Sequence, residues 1–228
     1  MTIGNRAGQA CAVRAVLVNV LLAGVAWGAP LADTQADYST VAQGTNGFQY
    51  GAYHNDATDH YNNNGVGVFD TTGWTVDMNN NWDGNEGLFT PEVGAATQHP
   101  AFNSLRPAVR RYTVASNGEP SYTGLVEIQG TFTDLNPSGL TDGFVTVNGV
   151  NLFYHLVDSN SGNSPVPFDV VAAVTNGSTI DIGADASSDG GFNDSTGLTA
   201  TIAPVPEPVL CGSVVGFALL MAGRSRAR

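Results

Sequence analysis

The segment DGFVTVNGVNLFYHLVD, residues 142–158, places the dipeptide Asn148-Gly149 between two apolar runs. Asn-Gly is the strongest short signal for a two-residue β-hairpin turn, because both turn positions require a positive φ that these residues adopt readily. After the turn, apolar side chains recur at every second position, which is the period of a strand. The pattern predicts a hairpin whose second strand carries one apolar row of Val150, Leu152, Tyr154 and Leu156.

Other segments of the chain have the same period. In GLVEIQGTFTDL, residues 124–135, one face carries Val126, Ile128 and Phe132, and the other face carries polar side chains. In PFDVVAAVTNGSTIDIGAD, residues 167–185, Asn176-Gly177 predicts a second hairpin that pairs the two flanking strands with each other. GLTATIA, residues 197–203, alternates in the same way and predicts a last strand.

The composition agrees with a chain of short strands. The sequence contains 28 glycines and only 12% charged residues, and 42% of its residues are hydrophobic, enough to bury a core. Glycine and asparagine supply the dihedral angles of tight turns. We expect an all-β domain over residues 33–204 with eight to ten strands, folded as an antiparallel β-sandwich of jelly-roll type.

The charge is strongly unbalanced. The net charge is −12, there is no lysine, and residues 33–204 hold 19 of the 20 acidic residues but only three of the eight arginines. Such a negative field repels nucleic acid and anionic membranes. We therefore expect no nucleic-acid partner, and the simplest use of the charge is solubility outside the cell.

Residues 1–28 have the features of a secretory signal peptide. Arg6 and Arg14 form a positive n-region before the apolar run AVLVNVLLAGVAW, and the segment ends on Ala26-Trp27-Gly28, a candidate small-x-small cleavage site. Cleavage after Ala32 and an uncleaved anchor are the alternatives. The sequence predicts that the protein is exported.

The C-terminus, PVPEPVLCGSVVGFALLMAGRSRAR, combines three features in a fixed order. The motif Val205, Pro206, Glu207, Pro208 comes first. An apolar helix of 15 residues is predicted over 209–223, and at ~22 Å it is short for a hydrocarbon core of ~30 Å. Three arginines then hold the end on the cytoplasmic side, namely Arg224, Arg226 and Arg228.

This terminal segment resembles a PEP-CTERM sorting signal. The resemblance covers residues 205–228 and implies processing by an exosortase, a membrane cysteine protease that reads Pro206-Glu207-Pro208. It further implies transient anchoring in the cytoplasmic membrane, followed by release to the cell surface or an extracellular polysaccharide matrix. The alternative is an ordinary C-terminal anchor in which the two prolines form a stiff linker.

The body resembles, over several strands, a jelly-roll-like sandwich module of bacterial exported proteins with the appearance of a carbohydrate module. The matching segments are QHPAFNSLRPAVRRYTVAS, GLVEIQGTF, DGFVTVNGV, STIDIGAD and NDSTGLTATI. The resemblance implies the fold, and structural roles for His99, Pro100, Arg110 and Tyr112.

Four aromatic residues in the loop-rich N-terminal half are candidates for sugar binding, because flat rings stack on the apolar faces of sugars. They are Trp74, Trp82, Tyr53 and Tyr61. The alternative is that the tryptophans fill the core of the sandwich. On the strand AVRRYTV, Arg110 is predicted to be partly buried against a carboxylate, with Arg111 facing the other way.

The stretch DIGADASSDGGFND gathers carboxylates of the kind that calcium prefers, without the spacing of an EF-hand loop. The candidate ligands are Asp181, Asp185, Asp189 and Asp194. The alternative to a calcium site is a solvated acidic loop.

The sequence contains none of the common nucleophile, zinc or phosphate motifs. Together with the terminal segments and the sandwich, this predicts a non-catalytic, polysaccharide-binding protein of the envelope or matrix. A structural coat protein and a polysaccharide hydrolase are the alternatives. The hydrolase would require two carboxylates that meet in space, drawn from Glu86, Glu92, Glu119 and Glu127.

Overall fold

A computed structural model describes residues 29–54, 68–84, 91–101, 106–115, 121–187 and 193–206. These residues form two antiparallel sheets, with one 3-10 turn at Thr45–Gly47. The predicted signal peptide, 1–28, and the predicted apolar helix, 209–223, lie outside the described residues. Within the described ranges, no helix is both long and apolar enough to cross a membrane.

The first sheet, called sheet A, has eight strands: β1 Ala32–Asp33, β4 Trp74–Val76, β5 Trp82–Gly84, β6 Glu92–Val93, β7 Thr97–His99, β9 Gly124–Asp134, β12 Val166–Val174 and β14 Thr196–Pro204. The order is β12-β9-β14-β7-β6-β5-β4, with β1 beside β14. The sheet is built around the long strand β14, which pairs with β9 on one side over nine residue pairs, and with β7 and β1 on the other side.

The strands of the second sheet, sheet B, are β2 Phe48–His54, β3 Val68–Asp70, β8 Ala108–Thr113, β10 Thr141–Val147, β11 Val150–Val157 and β13 Thr179–Ala186. Their order is β11-β10-β13-β8-β2-β3. The two sheets enclose one large apolar cluster with side chains from both. The prediction of an all-β antiparallel sandwich is confirmed; the assignment to the jelly-roll type stays a prediction.

The alternation predicted for β9 is confirmed. Val126, Ile128 and Phe132 are fully buried between the sheets. The ring of Phe132 lies 5.1 Å from that of Phe168 on β12 and is stacked 6.2 Å from that of Phe153 on sheet B, measured between ring centres. This aromatic cluster joins the two sheets at the edge formed by β12 and β11.

The hairpin at Asn148-Gly149 is also confirmed, since both residues have positive φ, 50° and 76°. The face predicted for β11 is wrong. Val150 and Leu152 are 61% and 38% exposed, and the pairing register of β10 with β11 shifts beside Leu152. An extra residue in one strand reverses the facing of every side chain beyond it, so the predicted row is split between the two faces.

The second predicted hairpin, at Asn176-Gly177, is wrong. β12 pairs with β9 in sheet A, whereas β13 pairs with β10 and β8 in sheet B. The Ser178 amide donates to the Thr175 carbonyl at 2.9 Å, and within the turn only Gly177 has positive φ. One positive φ, at the third position, suits a type II turn. This turn, residues 175–178, carries the chain from sheet A to sheet B.

Candidate functional site

Trp74 and Trp82 are both 6% exposed and belong to the core between the sheets. The Trp82 indole N–H donates to the Ser39 carbonyl at 2.8 Å, and its ring stacks on Tyr50 with centres 5.6 Å apart. Buried rings offer no face to a sugar, so the structure supports the core-packing alternative for both tryptophans.

Tyr53 is also fully buried, but on the outer side of sheet B. Its hydroxyl donates to the Asp181 carboxylate, and burial together with that carboxylate raises the pKa of Tyr53. The ring is therefore a structural part of sheet B and does not reach solvent. Tyr61, the fourth aromatic candidate, lies outside the described residues.

Asp181, the first predicted calcium ligand, is a strand residue with a different partner. It lies in β13, and Arg111 of β8 donates to both of its oxygens, from Nε at 2.7 Å and from a terminal nitrogen at 2.8 Å. The Arg111 guanidinium also lies 4.1 Å from the centre of the Phe69 ring. A carboxylate whose charge is paired with an arginine and whose oxygens both accept hydrogen bonds is a poor cation ligand. This corrects the sequence-based assignment of Asp181 as a calcium ligand.

The two other predicted calcium ligands that the structure describes, Asp185 and Asp194, do not gather around Asp181. Asp185 lies on β13 directly opposite Asp142 of β10, and the Asp194 carboxylate accepts the Leu140 amide at 3.2 Å. Asp189 lies outside the described residues. Among the described side chains, no three carboxylate, imidazole or thiol groups are arranged to hold a metal ion.

The carboxyl of Asp185 has a strongly perturbed acidity. Burial, followed by the nearby charges of Asp142 and Asp194, raises its pKa to about 9. The Tyr154 hydroxyl donates to the Asp142 carboxylate at 2.9 Å and holds that side chain beside Asp185. At neutral pH Asp185 therefore carries its proton.

This perturbation predicts that stability falls as pH rises. The folded state binds a proton at Asp185 between its unfolded pKa, about 3.8, and its folded pKa, about 9, so the free energy of unfolding decreases across that window. The variant Asp185→Asn cannot ionise, so its unfolding energy should depend less on pH and exceed that of the wild type at pH 8 by at least about 1.4 kcal/mol. Urea unfolding of both proteins at pH 5 and pH 8 measures this difference. An equal change in unfolding free energy between the two pH values for wild type and variant would contradict the raised pKa of Asp185.

Arg110 is fully buried between the sheets, and its partners are backbone carbonyls. Its two terminal nitrogens donate to four of them, at distances of 2.6 to 3.1 Å. The acceptors are the carbonyls of Thr34, Gly94, Ala95 and Thr97. The predicted burial and structural role of Arg110 are therefore confirmed, but the carboxylate partner was assigned to the wrong arginine, because it is Arg111 that pairs with Asp181.

The outer faces of the two sheets differ. On sheet B most of the outward side chains of the central strands are buried, including Tyr53, Val109, Phe144, Thr146 and Asp181. On sheet A the outward side chains of β9, β12 and β14 are exposed or half-buried. Among the strands that the structure describes, the outer face of sheet A is the more open to a large ligand.

A shallow depression of about 410 Å³ lies on the outer face of sheet A, over β9, β14 and β1. Thr131 stands directly opposite Thr199, and Gln129 opposite Thr201, in an uninterrupted register. The outward polar groups that line it are Asp33, Gln35, Gln129, Thr131, Thr199 and Thr201.

A second depression, of about 420 Å³, lies further along the same face, near the start of β14. Glu92 and His99 are cross-strand partners there, and burial followed by the charges of Asp77 and Asp83 raises the pKa of Glu92. The His99 Nδ1–H donates to the Pro100 carbonyl at 2.6 Å, and burial lowers the pKa of His99, so the ring is neutral near pH 7. The remaining wall is formed by Thr97, Gln98, Leu135, Asn136 and Ser195.

A third depression, also of about 420 Å³, lies where β14 ends and is more apolar. Its walls include Tyr122, Leu125, Ala173 and the first two residues of the predicted sorting motif, Val205 and Pro206. The Val205 amide donates to the Leu125 carbonyl at 2.8 Å. The rest of that motif, Glu207, Pro208, Arg224, Arg226 and Arg228, lies outside the described residues.

No protein-family model matches the sequence, and no curated protein matches it. Several solved structures resemble the fold at low TM-score. A ruminal GH26 endo-β-1,4-mannanase has TM-score 0.30 and 12% identity, over 59% of this chain and 23% of that one. The CBM51-2 and INT domains of Clostridium perfringens ZmpB, in complex with GlcNAc, give 0.30 and 15%, over 57% and 24%.

This chain thus spans about a quarter of the length of those two structures. A family 35 carbohydrate binding module from Clostridium thermocellum also has TM-score 0.30, with 12% identity, over 69% of this chain and 99% of that one. At such TM-scores the resemblance supplies no argument about function, which has to come from the residues of this chain.

Proposed function

We propose that this chain is an exported protein of the cell envelope or extracellular matrix that is sorted by an exosortase and binds polysaccharide through its sandwich, without catalysis. One observation supports the sorting step: the last strand, β14, ends at Pro204, immediately before the motif at 205–208. Every described strand therefore precedes the motif. Cleavage beyond Pro206 would remove the apolar segment and the arginines while leaving the sandwich intact.

The mature C-terminus tests the sorting step. In cells that contain the exosortase, mass spectrometry should find a chain that has lost Arg228 and the preceding apolar segment. In cells without the exosortase, or in the variant Glu207→Ala, the chain should remain intact. Intact Arg228 in both backgrounds would contradict the proposal and favour an ordinary anchor.

The open outer face of sheet A supports polysaccharide binding. Its depressions are lined by hydroxyl, amide and carboxylate groups that can donate to and accept from sugar hydroxyls. Export to a polysaccharide matrix, which the sorting signal implies, would bring such a ligand within reach.

Electrophoresis through gels that contain a polysaccharide tests the binding step. The exported protein should be retarded in a gel containing at least one of galactomannan, laminarin or hydroxyethyl cellulose, compared with a plain gel. Bovine serum albumin serves as the control for non-specific retardation. Unchanged mobility in all gels would overturn polysaccharide binding and leave the sorting proposal standing.

A structural coat protein is the second candidate function, and the edge of sheet A favours it. Within the described residues β12 pairs on one side only, with β9, and its outward Val171 and Ala173 are exposed. An unpaired apolar edge strand is a template for pairing between chains. Light scattering with and without calcium tests this function, which predicts concentration-dependent assemblies rather than a monomer.

A further inference from the structure

The proposed polysaccharide binding leaves open which surface is used, and the two sheets differ in a way that answers this question. The outer face of sheet B is closed, because its central outward side chains are buried and tied together by Arg111, Asp181 and Tyr53. The outer face of sheet A is open along β9 and β14. A chain-like ligand therefore finds a continuous surface only on sheet A among the described strands.

The strands of this face form a continuously paired surface, which we call the platform. β9 and β14 pair over nine consecutive residues without a bulge, so their outward side chains stand in regular rows. The outward positions at its centre carry uncharged hydroxyl and amide side chains: Gln129, Thr131, Thr133, Thr199 and Thr201.

Gly197 lies between the two depressions of this face. It lies opposite Thr133 on one side and Thr97 on the other, between the depression at Ser195 and the one at Thr199 and Thr201. With no side chain, it leaves a low passage between them. Ser195 to Thr201 spans ~20 Å at ~3.3 Å per residue, a length that accommodates several linked sugars.

The chemistry of the platform favours a neutral chain. The carboxylates of Asp33 and Glu92 line its depressions, the sequence has no lysine, and the two arginines of β8 lie in the core and on sheet B. An acidic polysaccharide would therefore be repelled. Leu135, about half exposed beside the second depression, offers an apolar contact for the face of a sugar ring.

We infer that a neutral polysaccharide binds along β14 on the outer face of sheet A, through the Thr131–Thr199 pair and over Gly197. This inference rests on the proposed polysaccharide binding and assigns it a surface. The hydroxyl pair hydrogen-bonds the sugar, and Gly197 lets the chain pass from one depression to the next.

Two variants test the assignment in the gel assay. Thr131→Val with Thr199→Val keeps shape and strand preference but removes both hydroxyls, so the dissociation constant for the retarding neutral polysaccharide should rise about tenfold. Gly197→Leu should weaken binding at least as much by filling the passage. A Cβ at position 197 would meet Leu135 and Thr133 at an ordinary 3.5 Å, so the variant should still fold.

The matched control is another cross-strand threonine pair, Thr113 with Thr179, on the outer side of sheet B. Changing both to valine should leave binding unchanged, and thermal unfolding should show all variants folded. If the gel retards the wild type and the sheet A variants equally, the assigned surface is wrong but the function stands. The same holds if the control variant weakens binding as much as the sheet A variants do. Retardation only in alginate or polygalacturonate gels would overturn the neutral ligand. If no gel retards the wild type, the function and the surface both fail.

Discussion

Replacing Arg110 with methionine should lower the free energy of unfolding by about 4 kcal/mol, a large part of the stability of a domain of this size. The guanidinium is fully buried and donates to four carbonyls from the segments around Thr34 and Gly94–Thr97. Methionine fills a similar volume but has no donor, so these carbonyls would lose the hydrogen bonds that the guanidinium donates in the interior. Burial lowers the pKa of Arg110 to about 10, because the interior of the sandwich disfavours the charged guanidinium.

Urea unfolding of the wild type, Arg110→Met and Arg110→Lys measures the effect. Lysine keeps the charge but lacks the planar fork, so it should reach fewer carbonyls and lie between the other two proteins. Gln129→Met, on the exposed face of sheet A, is the control for adding methionine and should change stability by less than about 0.5 kcal/mol. A loss below about 1 kcal/mol for Arg110→Met would show that the carbonyls find water or other donors.

The sequence predicted well those features that depend on neighbouring residues. The period of two in residues 124–134 placed Val126, Ile128 and Phe132 in the core, and Asn148-Gly149 formed the expected tight turn. Both signals are local, because side-chain alternation and positive φ are properties of consecutive residues. The fold class followed from them.

Features that depend on distant strands could not be predicted in this way. The register shift near Leu152 is determined by how β11 meets β10, and the turn at Asn176-Gly177 connects sheets because β12 finds its partner in β9. The same dipeptide thus closes a hairpin at one position and bridges the sandwich at another. A turn motif specifies a reversal of the chain but not the strand that will be its neighbour.

The candidate site shows the same division. The sequence shows alternating threonines in TFT at 131–133 and in TAT at 199–201. Such alternation is typical of any strand with one solvent-facing side, so it does not by itself indicate a binding site. Their significance comes from the cross-strand pairing of Thr131 with Thr199 and from the closure of the other sheet. The sequence predicted a sugar-binding role for aromatic residues because flat apolar rings stack on sugars. The same rings also pack well in a core, and Trp74 and Trp82 lie in the core.

Replacing Asp181 with alanine should cost about 3 kcal/mol of unfolding free energy. The carboxylate is fully buried and accepts from the Arg111 fork and from the Tyr53 hydroxyl. Its loss leaves the Tyr53 hydroxyl without this acceptor in a buried position. The Arg111 side chain is 21% exposed and can turn partly towards water, so the expected cost lies at the lower end for a broken buried pair.

A double-mutant cycle separates the ion pair from the packing around it. Arg111→Met with Asp181→Leu removes both charges together, so the double variant should be more stable than the sum of the single losses predicts, by about 2 kcal/mol. Tyr53→Phe removes one donor and leaves the pair intact, so it should cost only about 1 kcal/mol. Additive single losses would mean that Arg111 and Asp181 act independently.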